Sequence, residues 1–153
     1  MDDLTVRPLA DAAELDWCAR LMAGSEPWLT LGRGMEACRQ SLGDSAKERY
    51  LALLDGRPAG LLILDMRGLL AGYVQSICIH PDFRSQGLGS RLLAWAEQRI
   101  FRDSANVFLC VSSFNEGAQR LYRRLGYEPV GKLTDFFVKG YDELLLRKVR
   151  GSG

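Results

Sequence analysis

One stretch constrains the fold more than any other: "GYVQSICIHPDFRSQGLGSRLLAWAEQRI", residues 72–100. It joins an apolar, strand-like run to a helical pattern through Pro81 and two glycines one residue apart, Gly87 and Gly89. The run reads as a strand from Leu69, apolar on both faces and therefore central in a sheet. Leu88, Leu92, Trp95, Ala96 and Ile100 then recur at the spacing of an amphipathic helix predicted to begin near Gln86. Glycine costs about 1 kcal/mol against alanine inside a helix. Two of them at the first turn therefore suggest that bare backbone is wanted there. The first N–H groups of a helix have no partner within it, and they attract anions, phosphate above all. Glycine lets such a ligand approach without meeting a Cβ, and Arg84 adds a permanent positive charge beside it. A turn whose glycines serve geometry alone would read the same way. Known phosphate motifs do not fit. There is no G-K-[ST] of a P-loop, and Leu92 stands where a dinucleotide fingerprint needs its third glycine.

The rest of the chain supplies a sheet and helices around this seam. "LTVRPL" reads as a strand, "DAAELDWCARLM" and the segment of Met35, Cys38 and Leu42 as helices, and "GSEPWLTLGRG" as a loop. "YLALL", the turn "DGRP" and "AGLLILDM" form a hairpin. "NVFLCVS" is a buried strand, and "NEGAQRLYRRLG" a helix capped by Asn115 and stopped at Gly126. "YEPVGKL", "DFFV" and "YDELLLRKV" are strand-like. The predicted class is α+β, a mostly antiparallel sheet of six or seven strands flanked by about four helices. Residues 1–150 form one domain, and the closing "GSG" of 151–153 reads as a linker or tag remnant. Twenty basic against nineteen acidic residues leave a net charge of +1, which argues against general nucleic-acid or membrane-surface binding. No apolar run approaches the roughly 20 residues of a membrane span, and no secretory signal opens the chain. Cys18, Cys38, Cys78 and Cys110 are widely spaced, and His80 stands alone. No metal site is expected, and reduced thiols point to a cytoplasmic protein. Cys78 and Cys110 read as core, and His80 as a surface turn residue.

"SICIHPDFRSQGLGSRLL" resembles the acyl-CoA-binding signature of the GNAT superfamily of N-acetyltransferases, [RQ]-x-x-G-x-[GA]. A second block, "NEGAQRLYRRLGYEPVG", resembles that family's N-x-x-A-x-x-L-Y-x-x-x-G-[FY], with Asn115, Ala118, Leu121, Tyr122, Gly126 and Tyr127 in place. The likeness covers the chain from about Tyr50 to Arg147 and is weakest over residues 1–45.

The resemblance implies a GNAT fold, acetyl-CoA as cosubstrate, and transfer of its acetyl group to a primary amine by direct attack in a ternary complex. The backbone of Ile77, Cys78 and Ile79 would pair with the pantetheine arm. The amides of Arg84, Ser85, Gln86, Gly87, Leu88, Gly89 and Ser90 would hold the pyrophosphate, and Asn115 would contact the cofactor or serve as a plain N-cap. Tyr122 stands where the family places a general acid for the departing thiolate, although a core tyrosine fits the same apolar face. Many relatives carry a glutamate on the central strand. Here that strand offers Gln75, which cannot accept a proton but could orient a water. Glu26 is the remaining candidate base, beside Trp28 as an acceptor-pocket wall; a solvated loop acid and a loop-pinning tryptophan are the alternatives. The expected acceptor is a small-molecule amine or amino acid, with a peptide N-terminus or lysine as the second version. A non-catalytic acyl-CoA sensor is the reading from another class. Fold analogy also implies a homodimer through the C-terminal strands.

Overall fold

The structure, a computed structural model, describes residues 2–151, so Ser152 and Gly153 of the linker-like tail lie outside the described residues. The elements are β1 (Leu4–Pro8), α1 (Ala12–Ala23), α2 (Met35–Gly43), β2 (Glu48–Leu54), β3 (Arg57–Asp65) and β4 (Tyr73–Ile79). A short 3-10 turn (Pro81–Phe83) leads to α3 (Leu88–Phe101), β5 (Asn106–Ser112), α4 (Glu116–Arg124), β6 (Glu128–Leu133) and β7 (Glu143–Val149). The strands form one seven-stranded sheet in the order β1-β2-β3-β4-β5-β7-β6. All neighbours are antiparallel except β4 and β5.

The leucine-rich β3 fixes the layers. Leu61, Leu62, Ile63 and Leu64 are all fully buried, so this strand is covered on both faces. Leu61 and Ile63 pack with Cys18, Met22, Cys38 and Leu42 beneath α1 and α2. Leu62 and Leu64 pack with Leu92, Leu93, Ala96 and Ile100 of α3. Each such side chain contributes about 1.5–3 kcal/mol of burial. Asp55 and Gly56 both have positive φ, as the tight turn between β2 and β3 demands. At the start of α1, Asp11 caps Glu14 N, and the Glu14 carboxylate clasps Arg7 of β1 at 2.7 Å.

Two expectations change. The strand predicted from Leu69 begins at Tyr73, where pairing with Asp65 of β3 starts; residues 68–72 turn the chain, and Leu69 is 97% exposed. "DFFV" is not a strand. Residues 134–142 form a loop closed by carboxylates: Asp142 Oδ1 accepts from Asp135 N at 3.1 Å, and Asp135 Oδ1 accepts from Gly140 N at 2.8 Å. These side chains satisfy backbone groups that a ladder would otherwise use. Phe136 and Phe137 are thereby left exposed at the loop's tip.

Candidate active site

The sheet is split at its one parallel joint. Strands β4 and β5 pair only at Tyr73–Phe108 and Val74–Leu109. Beyond that point each strand keeps its outer neighbour, β3 or β7, but leaves the other. The opening between them holds a narrow cavity lined by Gln75, Ser76 and Ile77 of β4, Cys110 and Ser112 of β5, and Asn115 and Tyr122 beyond. An unpaired strand edge within a sheet is a ready partner for an extended amide chain. Of the predicted strand residues, Ile77 lines this opening and Ile79 the next cavity; the side chain of Cys78 is turned into the α1–α2 core.

At one end the opening leads to the start of α3. Gly87, with φ of 75°, is the N-cap, and no side chain caps the helix. The free amides at this start border a cavity of about 310 Å³ lined by Arg84, Ser85, Gly87, Leu88, Gly89 and Ser90. A Cβ at Gly87 would meet no protein atom within 4 Å, and one at Gly89 only Ile79 at 3.9 Å, so the space over these glycines is open. The helix starts at Leu88, and Gln86 lies before it, its side chain donating to Asp82 O. The Arg84 guanidinium points elsewhere than expected. It donates to Ile79 O at 2.9 Å and to Ser25 Oγ at 3.0 Å, bracing the end of β4 against the loop after α1. Arg124, at the end of α4, lines the same cavity and supplies a positive charge there; in the sequence the charges of "RLYRR" read first as the solvated side of the helix, with a cofactor phosphate as the alternative.

Tyr122 lies beside the opening, on the inner face of α4, edge-on to Tyr127. Its hydroxyl has no hydrogen-bond partner among the described residues, and burial pushes its pKa up, so it stays protonated. Asn115 is the N-cap of α4, its Oδ1 accepting from Ala118 N at 3.2 Å, and it lines the opening as well.

At the other end lies a cavity of about 270 Å³ that shares Pro27, Trp28, Gln75 and Cys110 with the central opening. Its walls are Trp28, Phe136 and Phe137, and it also contains Arg33, Tyr73 and Glu143. Trp28 and Gln75 both line this cavity, with Gln75 Oε1 accepting from Lys47 Nζ. Glu26 does not line it. It is exposed, and its carboxylate accepts from Thr30 N at 2.8 Å and Thr30 Oγ1 at 2.5 Å. Those bonds hold its pKa below the usual carboxylate range, which suits a turn cap and not a proton acceptor. Cys110, expected in the core, borders both cavities instead; burial raises its pKa and disfavours the thiolate. His80 does sit in a turn, accepting from Asp82 N and stacked on Trp17.

Glu143 escaped sequence reasoning. At the first position of β7 it pairs with Ser112, is 3% exposed, and accepts from Ser112 Oγ at 2.6 Å. Burial raises its pKa. In the sequence it is one acid in "YDELLL", beside an equally plain Asp142. Among the described residues no three His, Cys, Asp or Glu side chains are placed to share a metal ion, and no helix is long and apolar enough to cross a membrane.

A split sheet with an uncapped helix start on one side and an aromatic cavity on the other defines an acyl-group transferase fold. The chain matches the acetyltransferase (GNAT) family over residues 9–127, and it belongs to that family. It is similar to the protein ML0378 of Mycobacterium leprae, 30% identical over 141 residues, 89% of this chain and 38% of that one. It is 34% identical over 84 residues to the aminoalkylphosphonate N-acetyltransferase of Salmonella typhimurium, 51% of this chain and 54% of the relative. The chain therefore spans about a third to a half of the length of these relatives. Among solved structures, a GNAT family acetyltransferase from Elizabethkingia anophelis with acetyl-CoA bound superposes with a TM-score of 0.76 at 19% identity, covering 97% of this chain and 99% of that one.

Proposed function

We propose that this protein transfers an acetyl group from acetyl-CoA to the primary amine of a small molecule, by direct attack within a ternary complex. The observation that carries this reading is the alignment of three cavities along the split between β4 and β5: an amide-lined helix start, a narrow strand-edged passage, and an aromatic chamber. The bound acetyl-CoA of the Elizabethkingia neighbour and the small amine named for the Salmonella relative support it.

The residues fit the cosubstrate. The amides of Leu88, Gly89 and Ser90 would take the pyrophosphate, with Arg124 as counter-charge. Hydrogen bonds to a charged group contribute roughly 1.5–3 kcal/mol each. The unpaired edge of β4 would hold the pantetheine arm as an added strand. Acetyl-CoA supplies the reactive thioester. Tyr122 donates a hydrogen bond to the sulfur as charge develops there. A phenol ordinarily holds its proton more tightly than a thiol, and burial raises the Tyr122 pKa further, so the proton passes to sulfur only as the bond to carbon breaks. Direct attack needs a neutral amine. Deprotonating an α-amine near pKa 8 costs about 1 kcal/mol at pH 7, a lysine-like amine about 4–5 kcal/mol.

Calorimetry with acetyl-CoA, followed by thiol release on a panel of amines, tests the reading. Saturable binding with thiol release on at least one small amine is expected. No affinity for acetyl-CoA would overturn it.

A further inference from the structure

The aromatic chamber contains two charged side chains of opposite sign, Arg33 and Glu143, on separate segments of the chain. Neither is neutralised by the protein. Glu143 receives one hydrogen bond, from Ser112 to Oε2, while Oε1 has no protein donor among the described residues. Arg33 forms no ion pair or side-chain hydrogen bond among them; its guanidinium lies 5.3 Å from the centre of the Phe137 ring. A buried carboxylate with a free oxygen in an aromatic chamber is a costly arrangement without a partner, and an ammonium is the partner it suits. A guanidinium presents a fork matched to a carboxylate or phosphonate. Tyr73 and Cys110 are the other titratable groups lining this chamber, and both keep their protons because burial raises their pKa values.

Resting on the acetyl-transfer reading above, we infer that the acceptor is a small primary amine that also carries an anionic group. Glu143 receives its ammonium and takes a proton from it, and Arg33 holds the anion. The missing strand glutamate is thus replaced from β7: Glu143 reaches the chamber because its ladder partner Ser112 ends β5 where the sheet has split. The step balances as follows. The ammonium gives one proton to Glu143, and the freed nitrogen lone pair forms the C–N bond. The C–S bond breaks with its electron pair going to sulfur, which receives the Tyr122 proton. Nitrogen loses its second proton to water as the amide forms, Tyr122 regains one from water, and Glu143 releases to water the one it took. The sum is an amide, a thiol and one released proton. A peptide N-terminus, whose nearest carboxyl is an amide, and a polyamine, which has no anion, both leave Arg33 unmatched.

The test compares amines in matched pairs, apolar α-amino acids and aminoalkylphosphonates against amino-acid amides and a polyamine, in the full chain with acetyl-CoA binding measured in parallel. Anion-bearing amines should exceed their amides in kcat/KM by about tenfold or more. Arg33→Gln should erase that ratio through KM while leaving the Kd for acetyl-CoA unchanged. Glu143→Gln should lose the rise of kcat with pH that ionisation of Glu143 gives the parent, and its gain in melting temperature over the parent should grow as pH rises. This second readout needs no turnover; should the variant fail to fold, Glu143→Asp with the Arg33 series takes its place. Absence of acetyl-CoA binding in the parent would sink the acetyl-transfer reading itself. Normal binding, with amides or polyamines acetylated as well as the anionic amines, or with the ratio unmoved in Arg33→Gln, overturns this inference alone.

Discussion

The two ends of the cleft are built by different means. The helix-start end is made mostly of one short stretch between Phe83 and Ser90, completed by Ile79, Leu121 and Arg124, and most of its useful groups are backbone amides. The aromatic end draws Trp28 and Arg33 from the loop after α1, Ser41 from α2, Gln75 from β4, Cys110 from β5, Phe137 from the 134–142 loop and Glu143 from β7. A backbone cradle tolerates any side chain that leaves the amides bare, so one geometry serves many chains. A chamber of side chains from distant segments changes with each of them. Evolution can therefore alter the second end without disturbing the first, and mutations at the two ends should separate into different kinetic constants.

Tyr122 sits at the junction and belongs to neither end. Tyr122→Phe should therefore reduce kcat by about 10²–10⁴-fold, the usual contribution of a positioned proton donor. It should leave the Kd for acetyl-CoA and the acceptor KM nearly unchanged. Pre-steady-state thiol release checks this; a change in either binding constant as large as the change in kcat would mean that Tyr122 is packing, not chemistry.

The helix-start end can be broken by backbone alone. Gly87→Val places a branched residue at φ 75°, a strain of about 1–3 kcal/mol, equivalent to roughly 5–150-fold in Kd if the turn rearranges. Gly89→Ala is the sharper probe. Its Cβ would meet only Ile79 at 3.9 Å, so the protein itself accepts it. Weaker acetyl-CoA binding by calorimetry with an unchanged melting temperature then isolates a clash with ligand. Unchanged affinity in both variants would remove the cradle.

This division also explains what could be read in the sequence. Tyr122 is legible only through its place in the second family block, whereas Gly87, Gly89 and Asn115 carry local signatures, because backbone conformation and capping act within a few residues. The seven strands and four helices follow from periodicity for the same reason. The strand expected at "DFFV" failed because two aspartates, Asp135 and Asp142, bond the loop to itself, a competition that apolar spacing does not register. The direction of the Arg84 side chain depended on Ser25, 59 positions away. Glu143 became visible only when the β5–β7 register placed it opposite Ser112 at the split.

The scaffold and the site should also answer pH in opposite senses. Glu14, clasped to Arg7 and to Ala10 N, has its pKa lowered to about 2. A lowered carboxylate stabilises the fold above its unfolded pKa near 4.3, and that stability fades as pH falls toward the folded value. Glu143 has a raised pKa, so its ionisation costs stability as pH rises. Glu14→Gln should lower the urea midpoint at pH 7 and flatten its decline below about pH 4. Identical acid limbs for variant and parent would show that the Arg7–Glu14 clasp contributes nothing.

The smallest effect belongs to the chamber's rim. Phe137 is 43% exposed, and its ring lies beneath the Arg33 guanidinium. A cation–π contact at an exposed site is worth about 0.5–1 kcal/mol, so Phe137→Ala should raise the acceptor KM by about twofold to fivefold. Because the contact orients the guanidinium, the loss should be confined to acceptors that carry an anion, and the amides should be unaffected. Thiol-release kinetics on one matched acid–amide pair suffice. If KM rises equally for both, Phe137 acts as an apolar wall alone, and the aromatic end would discriminate by shape where the helix-start end discriminates by charge.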